Sequence, residues 1–245
     1  MSLGRLQTLR AGPAQLVWSF ARYDKGQWKV TLRGGLVPAP EAGSRVVRRL
    51  HRTIFTTPLV NTLLRGFSLA FLKLTGWTAE GALPPHAAKS VLIAAPHTSN
   101  WDLPYTLMIA FALRLNVYWM GKSSLFRFPF GSVMRWLGGI AVNREQSTNL
   151  VAAAAAAIRD ADGPLQLVVP PEGTRSKTRY WKTGFYYIAL EAGVPIVMAY
   201  MDYQRKRSGL GPLLIPTGDI DADMQTVKAF YAPIKGKNAG QFESG

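Results

Sequence analysis

The chain has 245 residues, of which 48% are apolar and 18% are charged, and its formal net charge is +15. This composition excludes an intrinsically disordered chain and a coiled coil, and the length is enough for one α/β domain with a substantial core. Cysteine is absent, which excludes disulfides, a thiol nucleophile and cysteine-ligated zinc. The positive charge favours an anionic partner: nucleic acid, an acidic membrane leaflet or a phosphorylated substrate.

The first part of the chain, residues 1–44, is predicted to be a basic N-terminal extension. Ten basic and only two acidic side chains occur among residues 1–52, so more than half of the net positive charge lies there. The start of the chain, Met1 to Gly4, lacks the charged beginning and the continuous apolar core of a secretory signal. We therefore expect a protein that stays inside the cell.

Residues 45–78 are predicted to form amphipathic helices. This stretch is rich in leucine and phenylalanine but is interrupted by Pro58, Arg65 and Lys73, so no part of its sequence is both long and charge-free enough to span a membrane. Such a segment beside a basic cluster suits a protein that lies on an anionic membrane surface. A helix pair that packs on the core has the same pattern, and the sequence alone leaves both interpretations open.

From about residue 88 onward, short apolar runs alternate with helical patterns, and residues 79–245 are predicted to be an α/β domain. The runs typical of buried strands are 91–95, 117–120, 165–169 and 194–200. The helical patterns are 101–113, an alanine-rich stretch from Ser147 to about Gly163, and 182–192. This alternation predicts a mostly parallel central sheet flanked by helices, with functional loops at the carboxyl ends of the strands.

A histidine and an aspartate follow the first of these strands. His97 and Asp102 are the residue types of a general base and its orienting carboxylate. In a regular helix, side chains five positions apart point roughly 140° away from each other. We therefore expect His97 in the strand-to-helix turn, Asp102 about one turn into the helix, and Ser99 or Asn100 as the helix cap. This spacing also arises by chance, so a structural His97 is the alternative.

The loop after the third strand has the composition of an anion-binding site. It contains Glu172, Gly173, Thr174 and Arg175 in succession. Glycine lets the backbone approach a ligand, a hydroxyl donates a hydrogen bond, and the planar fork of arginine matches a phosphate. Three further basic side chains follow: Lys177, Arg179 and Lys182. A polar turn after a buried strand is the alternative interpretation.

Four sequence blocks, in this order, resemble the glycerolipid acyltransferase superfamily, which 1-acylglycerol-3-phosphate acyltransferases typify. They are H-x-x-x-x-D from His97 to Asp102, G-x-x-x-x-x-R from Gly138 to Arg144, E-G-T-R at 172–175, and V-P-I at 194–196. Lys122 matches a lysine often found between the first two blocks. The resemblance covers residues 90–200, and the order and spacing make the combined match strong although each block alone is weak.

The resemblance implies transfer of a fatty acyl chain from a thioester to the free hydroxyl of a lysophospholipid. His97 would take the proton of the hydroxyl, and Asp102 would hold the imidazole in the right tautomer. The acceptor phosphate would be bound by Lys122, Arg144, Glu172, Gly173, Thr174 and Arg175. Acyl-CoA or acyl carrier protein would be the donor, and no cofactor or metal is expected.

The resemblance also implies an acceptor and a location. The favoured acceptor is 1-acylglycerol-3-phosphate, which would give phosphatidate, and the alternative is a different lyso-acceptor, such as another lysophospholipid or a lyso-aminolipid. Residues 45–78 would dock the 79–245 catalytic domain, as a peripheral or monotopic protein, on anionic lipids at the cytoplasmic face of the cell membrane. Pro96 stands where asparagine is common in the family, and Pro170 where phenylalanine is common. These departures indicate a divergent branch, so the acceptor stays open.

Two other classes of function compete with this interpretation. A lipid hydrolase would need a serine nucleophile, but the sequence has no G-x-S-x-G motif. A basic membrane-binding or nucleic-acid-binding protein without catalysis would explain the charge. The sequence has no RRM, zinc-finger or helix-turn-helix signature and no Walker or G-x-G-x-x-G motif. No nucleic-acid partner is therefore expected.

Overall fold

The computed structural model describes residues 52–142, 147–173, 181–238 and 240, together with two short strands near the N-terminus. The chain divides into two compact units, residues 1–46 and 47–245. In the first unit, β1 (Tyr23–Asp24) pairs antiparallel with β2 (Gln27–Trp28). The rest of the predicted basic extension lies outside the described residues.

The described part of the second unit consists of a seven-stranded sheet and six α-helices. Two 3₁₀ turns, Pro85–Ala87 and Ser123–Phe126, connect some of these elements. In chain order the elements are α1 (Val60–Leu74), β3 (Thr78–Glu80), β4 (Lys89–Ala95), α2 (Asp102–Ala112), β5 (Val117–Lys122), α3 (Gly131–Trp136), β6 (Gly139–Val142), α4 (Ser147–Arg159), β7 (Leu165–Val169), α5 (Gly184–Ala192), β8 (Ile196–Asp202), β9 (Arg207–Leu214) and α6 (Ile220–Tyr231).

The strand order across the sheet is β3-β9-β8-β4-β7-β5-β6. The five strands from β8 to β6 run parallel, whereas β9 is antiparallel to β8, and β3 pairs parallel with β9. The register places Ile93 of β4 between Val169 of β7 and Met198 of β8. The predicted mostly parallel sheet flanked by helices is confirmed, and the carboxyl ends of its five parallel strands meet at one edge.

Two hydrophobic clusters cover the two faces of the sheet. Alternate residues of a strand point to opposite faces, and on β4 Val91 and Ile93 belong to one cluster while Leu92 belongs to the other. The first cluster includes Phe185 of α5 and Val227 of α6. The second includes Phe111 of α2 and residues just before α1. Both faces are therefore buried, which explains why the parallel strands are almost continuously apolar.

The strand predictions from apolar runs hold at the centre of the sheet and differ at the ends. β7 has the predicted bounds, and β4 begins two residues earlier, at Lys89. β8 begins at Ile196 rather than at Val194 because Pro195 has no N–H for the ladder; its carbonyl accepts a 3.1 Å bond from the backbone N–H of Val91 instead. Five elements were not predicted from the sequence: β3, β6, β9, α3 and α6.

Two predicted helix boundaries are corrected by the structure. α2 begins at Asp102, and neither Ser99 nor Asn100 is its N-cap residue, because Trp101 occupies that position without a side-chain cap. The alanine-rich helix α4 ends at Arg159, before the expected stop near Gly163. α5 ends as predicted at Gly193, whose φ of 67° is the left-handed conformation that glycine adopts readily at helix ends.

The predicted amphipathic stretch 45–78 contains one helix, α1, in its described part, residues 52–78. Leu72 is buried, and the ring of Phe71 lies 6.2 Å from the ring of Tyr105 on α2. The opposite face is also apolar, yet Leu63 is 73% and Phe67 61% exposed. One face thus packs on the core, while the other leaves a leucine and phenylalanine stripe in contact with solvent. No described helix combines the length and apolar character needed to cross a membrane.

Candidate active site

His97 and Asp102 meet at the carboxyl end of β4. His97 Nδ1 lies 3.1 Å from Asp102 Oδ2. The contact forms because Asp102 is the first residue of α2, not one turn into it as predicted. From that position its carboxylate folds back over the preceding loop, where Oδ2 also accepts 2.9 Å bonds from the backbone N–H groups of Thr98 and Ser99.

The environment of Asp102 keeps its carboxyl group ionised. Burial alone would raise its pKa, but hydrogen bonds from His97, the Ser99 backbone and Tyr203 outweigh burial and hold the pKa below its usual value. An ionised carboxylate only accepts hydrogen bonds, so Nδ1 of His97 must carry the proton. In the neutral ring the other nitrogen, Nε2, is then the hydrogen-bond acceptor, on a side chain that is 30% exposed.

Tyr203 is a site residue that the sequence analysis missed. Its hydroxyl donates a 2.8 Å hydrogen bond to Asp102 Oδ1, so both carboxylate oxygens are engaged. The ring packs edge-on against Trp77, with 5.0 Å between ring centroids. Tyr203 directly follows β8, the neighbour of β4 in the sheet. Its position directly after an apolar strand was the available signal in the sequence, since residues that follow parallel strands lie at the same edge of the sheet.

Glu172 belongs to the same site, in a different position from the one predicted. Its Oε1 accepts a 3.0 Å bond from the backbone N–H of His97, and Oε2 is buried without a partner among the described residues. Burial raises the pKa of this carboxyl to about 7, against smaller lowering effects of the His97 backbone and ring. The Glu172 carboxyl therefore holds the loop that carries His97. The two residues lie close together because each follows one of two adjacent strands, β7 and β4.

The other predicted phosphate-binding residues divide into described and undescribed ones. Lys122 is exposed at the end of β5, on the same sheet edge as His97. Gly173 follows Glu172 with a φ of 63°, and a Cβ there would lie 2.8 Å from the Lys182 side chain. Arg144, Thr174 and Arg175 lie outside the described residues, as do Lys177 and Arg179.

The segment after α6 also reaches the site, which the sequence did not indicate. The Asn238 side chain donates a 2.8 Å bond to the Thr98 carbonyl, and its backbone N–H donates a 3.2 Å bond to the Thr98 hydroxyl. Lys237 places its Nζ 4.9 Å from the centre of the Trp101 ring. These contacts hold the loop between His97 and Asp102 from its outer side and add a positive charge beside it.

An apolar cavity of about 290 Å³ opens beside His97, between α2 and the sheet. Most of its lining is apolar, and the polar groups are few and close to the histidine. The lining residues are Ala94, His97, Asn100, Asp102, Leu103, Thr106, Leu107, Val117, Trp119, Met120, Val168 and Pro170. A cavity of this kind suits an apolar ligand with one reactive polar end.

Comparisons with known proteins agree on one family. A family model described as Acyltransferase matches residues 78–202. A 1-acyl-sn-glycerol-3-phosphate acyltransferase of Haemophilus influenzae is 32% identical over 108 residues, which are 41% of this chain and 43% of that protein. One of Escherichia coli is 30% identical over 113 residues, 44% of this chain and 45% of that protein. The match thus spans less than half the length of these curated relatives.

A solved structure shares the fold. The crystal structure of the 1-acyl-sn-glycerophosphate acyltransferase from Thermotoga maritima aligns with a TM-score of 0.50 and 18% identity, over 71% of this chain and 79% of that one. The resemblance to glycerolipid acyltransferases that the four blocks predict is confirmed. Because the family model covers more than half of the chain, including His97, Asp102 and Glu172, the chain belongs to the acyltransferase family.

Proposed function

We propose that this protein transfers a fatty acyl chain to the free hydroxyl of a lysophospholipid, with 1-acylglycerol-3-phosphate as acceptor and phosphatidate as product. The donor is a thioester, acyl-CoA or acyl carrier protein. The observation that carries the proposal is the contact of His97 with an ionised Asp102 beside an apolar cavity. The similarity to the 1-acyl-sn-glycerol-3-phosphate acyltransferases of Haemophilus influenzae and Escherichia coli supports this acceptor.

His97 acts as the general base in this mechanism. Its Nε2 accepts the proton of the acceptor hydroxyl while that oxygen attacks the thioester carbonyl carbon. The carbon–sulfur bond then breaks, the proton passes from the imidazolium to the thiolate, and the products are an ester and a free thiol. A thiol has a reference pKa of about 8.5, so the thiolate leaves readily and no enzyme nucleophile is required.

Asp102 and Glu172 act through the histidine. The Asp102 carboxylate orients the imidazole and stabilises the positive charge that the ring gains when it takes the proton. Glu172 fixes the backbone at His97 and so positions the imidazole ring. Correct placement of a general base matters because a reacting group must lie within hydrogen-bond reach of the proton it takes.

The phosphate of the acceptor is bound by basic side chains that end or follow β5, β6 and β7 in the sequence. Lys122 ends β5 and is exposed there, and Arg144 and Arg175 follow β6 and β7 in the chain. Arginine provides a planar pair of donors that matches phosphate oxygens. Gly173 and Thr174 complete the proposed loop, whose start is held next to the histidine through Glu172. The reaction proposed here uses no metal or cofactor.

The exposed stripe of α1 docks the protein on anionic lipids at the cytoplasmic face of the cell membrane, as a peripheral or monotopic protein. Leu59, Leu63, Phe67 and Leu74 form this stripe, and each is at least 60% exposed. A surface helix normally has a polar outer face, so an apolar one supports burial in the interface of a leaflet. The acceptor and the product are lipids of that leaflet.

The test is a thiol-release assay on protein reconstituted with membranes. Acyl-CoA and acyl carrier protein thioesters are offered with phosphorylated and unphosphorylated lyso-acceptors, including a lyso-aminolipid. The variant His97→Ala is compared with His86→Ala, an exposed histidine in the turn before β4. Acceptor-dependent release that His97→Ala abolishes and His86→Ala retains is expected. Release without an acceptor would identify a thioesterase, and no release would leave a basic binding protein.

A further inference from the structure

The segment between β5 and β6 exposes large apolar side chains in an unusual concentration. Phe128 is 97% and Phe130 66% exposed, and Leu125 and Val133 lie on the same short segment about half exposed. Single exposed apolar residues are ordinary on soluble proteins, whereas several together mark an interaction surface. We call these four residues, with Arg127 and Arg135, the aromatic-basic patch.

The local backbone keeps the side chains of Phe128 and Phe130 exposed. Phe126, between them and β5, is buried, with its ring 5.8 Å from that of Trp119. Gly131 begins α3 so close to Phe126 that a Cβ there would collide with the Phe126 carbonyl oxygen. The guanidinium of Arg135 lies 5.9 Å from the centre of the Phe126 ring. A fixed turn therefore holds Phe128 and Phe130 away from the core.

The charged residues in the stretch of chain that contains the patch are all positive. From Leu103 to Arg144 the sequence contains no aspartate or glutamate, while it contains five basic residues: Arg114, Lys122, Arg127, Arg135 and Arg144. Arg127 and Arg135 are exposed on the patch itself. Aromatic side chains interleaved with basic ones suit the interface of an anionic leaflet, where the rings enter the acyl boundary and the cations meet the head groups.

The patch also adjoins the residues that lead into α1. Trp136, the last residue of α3, donates a 3.2 Å bond from its indole N–H to the Thr57 hydroxyl. The backbone N–H of Ile54 donates a 2.7 Å bond to the Trp136 carbonyl. The exposed Leu59 follows closely in the chain. Hydrogen bonds therefore connect the end of α3, the helix that carries part of the aromatic-basic patch, to the residues that lead into α1.

We propose that the aromatic-basic patch is a second membrane contact, which inserts Phe128 and Phe130 into the interface of an anionic leaflet. It begins at Leu125, three residues after Lys122, which ends β5 at the sheet edge that carries His97. Together with α1 it turns this edge toward the bilayer, so that a lysolipid reaches the histidine without leaving the membrane. The inference rests on the proposed function only in taking the acceptor to be a membrane lipid.

The first experiment measures sedimentation with vesicles of phosphatidylcholine alone or with phosphatidylglycerol added. The variant Phe128→Glu/Phe130→Glu is compared with Leu190→Glu/Ile215→Glu, which places the same charges at exposed apolar positions near the opposite sheet edge. Loss of two interfacial phenylalanines should weaken binding to the mixed vesicles about tenfold or more. The control should bind as the wild type does. Equal binding of all three proteins would overturn the proposal.

A second experiment reports the contact directly. Because the chain has no cysteine, Ser132→Cys on α3 can carry a single environment-sensitive dye, with Gln225→Cys on α6 as the control position. Lipid-borne quenchers should reduce the emission at residue 132 only. Equal emission at both positions with vesicles bound would contradict insertion of the patch.

Activity separates this proposal from the proposed function. With acceptor and donor dispersed in detergent, Phe128→Glu/Phe130→Glu should keep wild-type kcat, whereas its rate on acceptor held in vesicles should fall with its binding. Thermal unfolding confirms that the variant is folded, and Phe128→Trp/Phe130→Trp should retain binding. If the wild type transfers no acyl group but vesicle binding depends on the patch, the proposed function fails and the membrane contact stands.

Discussion

Glu172 accepts a 3.0 Å hydrogen bond from the backbone N–H of His97, a residue 75 positions earlier in the chain. The bond joins the ends of two adjacent parallel strands. Glu172 was expected to bind substrate. The bond gives this residue a second role, which is to hold the loop that carries the general base. Since the carboxyl is buried, its titration affects the stability of the fold as well as the site.

The variant Glu172→Gln tests this burial. The pKa of Glu172 is about 7 in the folded protein against 4.5 for the free side chain, so the folded state holds the proton more tightly. The resulting contribution to stability is complete below pH 4.5 and is lost as the pH rises through 7. Glutamine keeps the acceptor for His97 and has no charge to bury. It should therefore exceed the wild type in stability by up to about 3 kcal/mol at pH 8 and by little near pH 4.5.

Chemical unfolding of both proteins at several pH values measures this difference. Glu191→Gln, an exposed glutamate on α5, is the control for the substitution itself. A stability difference between Glu172→Gln and the wild type that is the same at all pH values would contradict the burial argument.

The variant Asp102→Asn should lower kcat by about 10²–10⁴-fold with little change in KM. Asparagine removes the negative charge that stabilises the imidazolium and no longer imposes the tautomer in which Nδ1 carries the proton. Steady-state thiol release provides both constants. Asp162→Asn, at an exposed position after α4, should retain full activity. A kcat for Asp102→Asn near the wild-type value would exclude Asp102 from the proposed mechanism.

The variant Tyr203→Phe should act on the same carboxylate from its other side. It removes one hydrogen bond that lowers the pKa of Asp102, so that pKa should rise and the folded state should lose about 1.5–3 kcal/mol at neutral pH. Because the lost bond favours the charged carboxylate, the stability difference should shrink as the pH falls below the usual Asp value of 3.8.

Chemical unfolding from neutral to acid pH provides the measurement, with Tyr187→Phe on α5 as the matched control. A destabilisation of Tyr203→Phe that does not vary with pH would indicate a packing role only. The acid limb of the kcat/KM profile should also move to higher pH in Tyr203→Phe, which a packing defect would not cause.

The variant Arg175→Ala should raise KM for a phosphorylated acceptor by about 10–100-fold, the effect of losing charge-assisted hydrogen bonds to phosphate. For an acceptor without a phosphate, the same substitution should leave KM unchanged. Both constants come from the thiol-release assay. Equal effects on the two acceptors would show that Arg175 does not contact the phosphate.

The variant Leu63→Glu should weaken vesicle binding through α1, because it puts a charge into the exposed apolar stripe. Thr62→Glu adds the same charge one position away on the same helix, outside the stripe. Sedimentation with vesicles that contain an anionic lipid should separate the two variants by about tenfold in affinity. Equal binding would argue that the stripe faces something other than lipid.

The central strands were predictable because parallel strands covered on both faces are continuous apolar runs, as β4 and β7 are. β9 was not, since its sequence contains Gly209, Gly211 and Pro212. The structure explains Gly209: a Cβ there would collide with the backbone of Glu80, so the glycine lets β3 approach this strand closely. Such a requirement depends on the partner strand and cannot be read from β9 alone.

The contact between His97 and Asp102 was predictable, but its geometry was not. Spacing showed that both could not lie on one regular helix, and the error was to place the aspartate inside α2 rather than at its start. Asn238 was beyond sequence reasoning because the path of the chain after α6 brings it to the site. Tyr203 had a signal in its position after an apolar strand, but its contact with Asp102 depends on the strand order. The hydrogen bond of Glu172 depends equally on which strand lies beside β4.

The strand order places site residues that are far apart in the sequence side by side along one edge of the sheet. Across the sheet, β8, β4 and β7 are followed within one to three residues by Tyr203, His97 and Glu172, respectively, and β5 ends at Lys122. Neighbouring strands lie about 4.8 Å apart, so β4, which precedes the base, and β5, which carries the cation, are two strand widths apart. Under the proposed mechanism, the distance between the reacting hydroxyl and the phosphate of an acceptor must therefore match the separation of these two strands. Loop insertions would leave that separation unchanged, whereas a further strand between β4 and β5 would increase it.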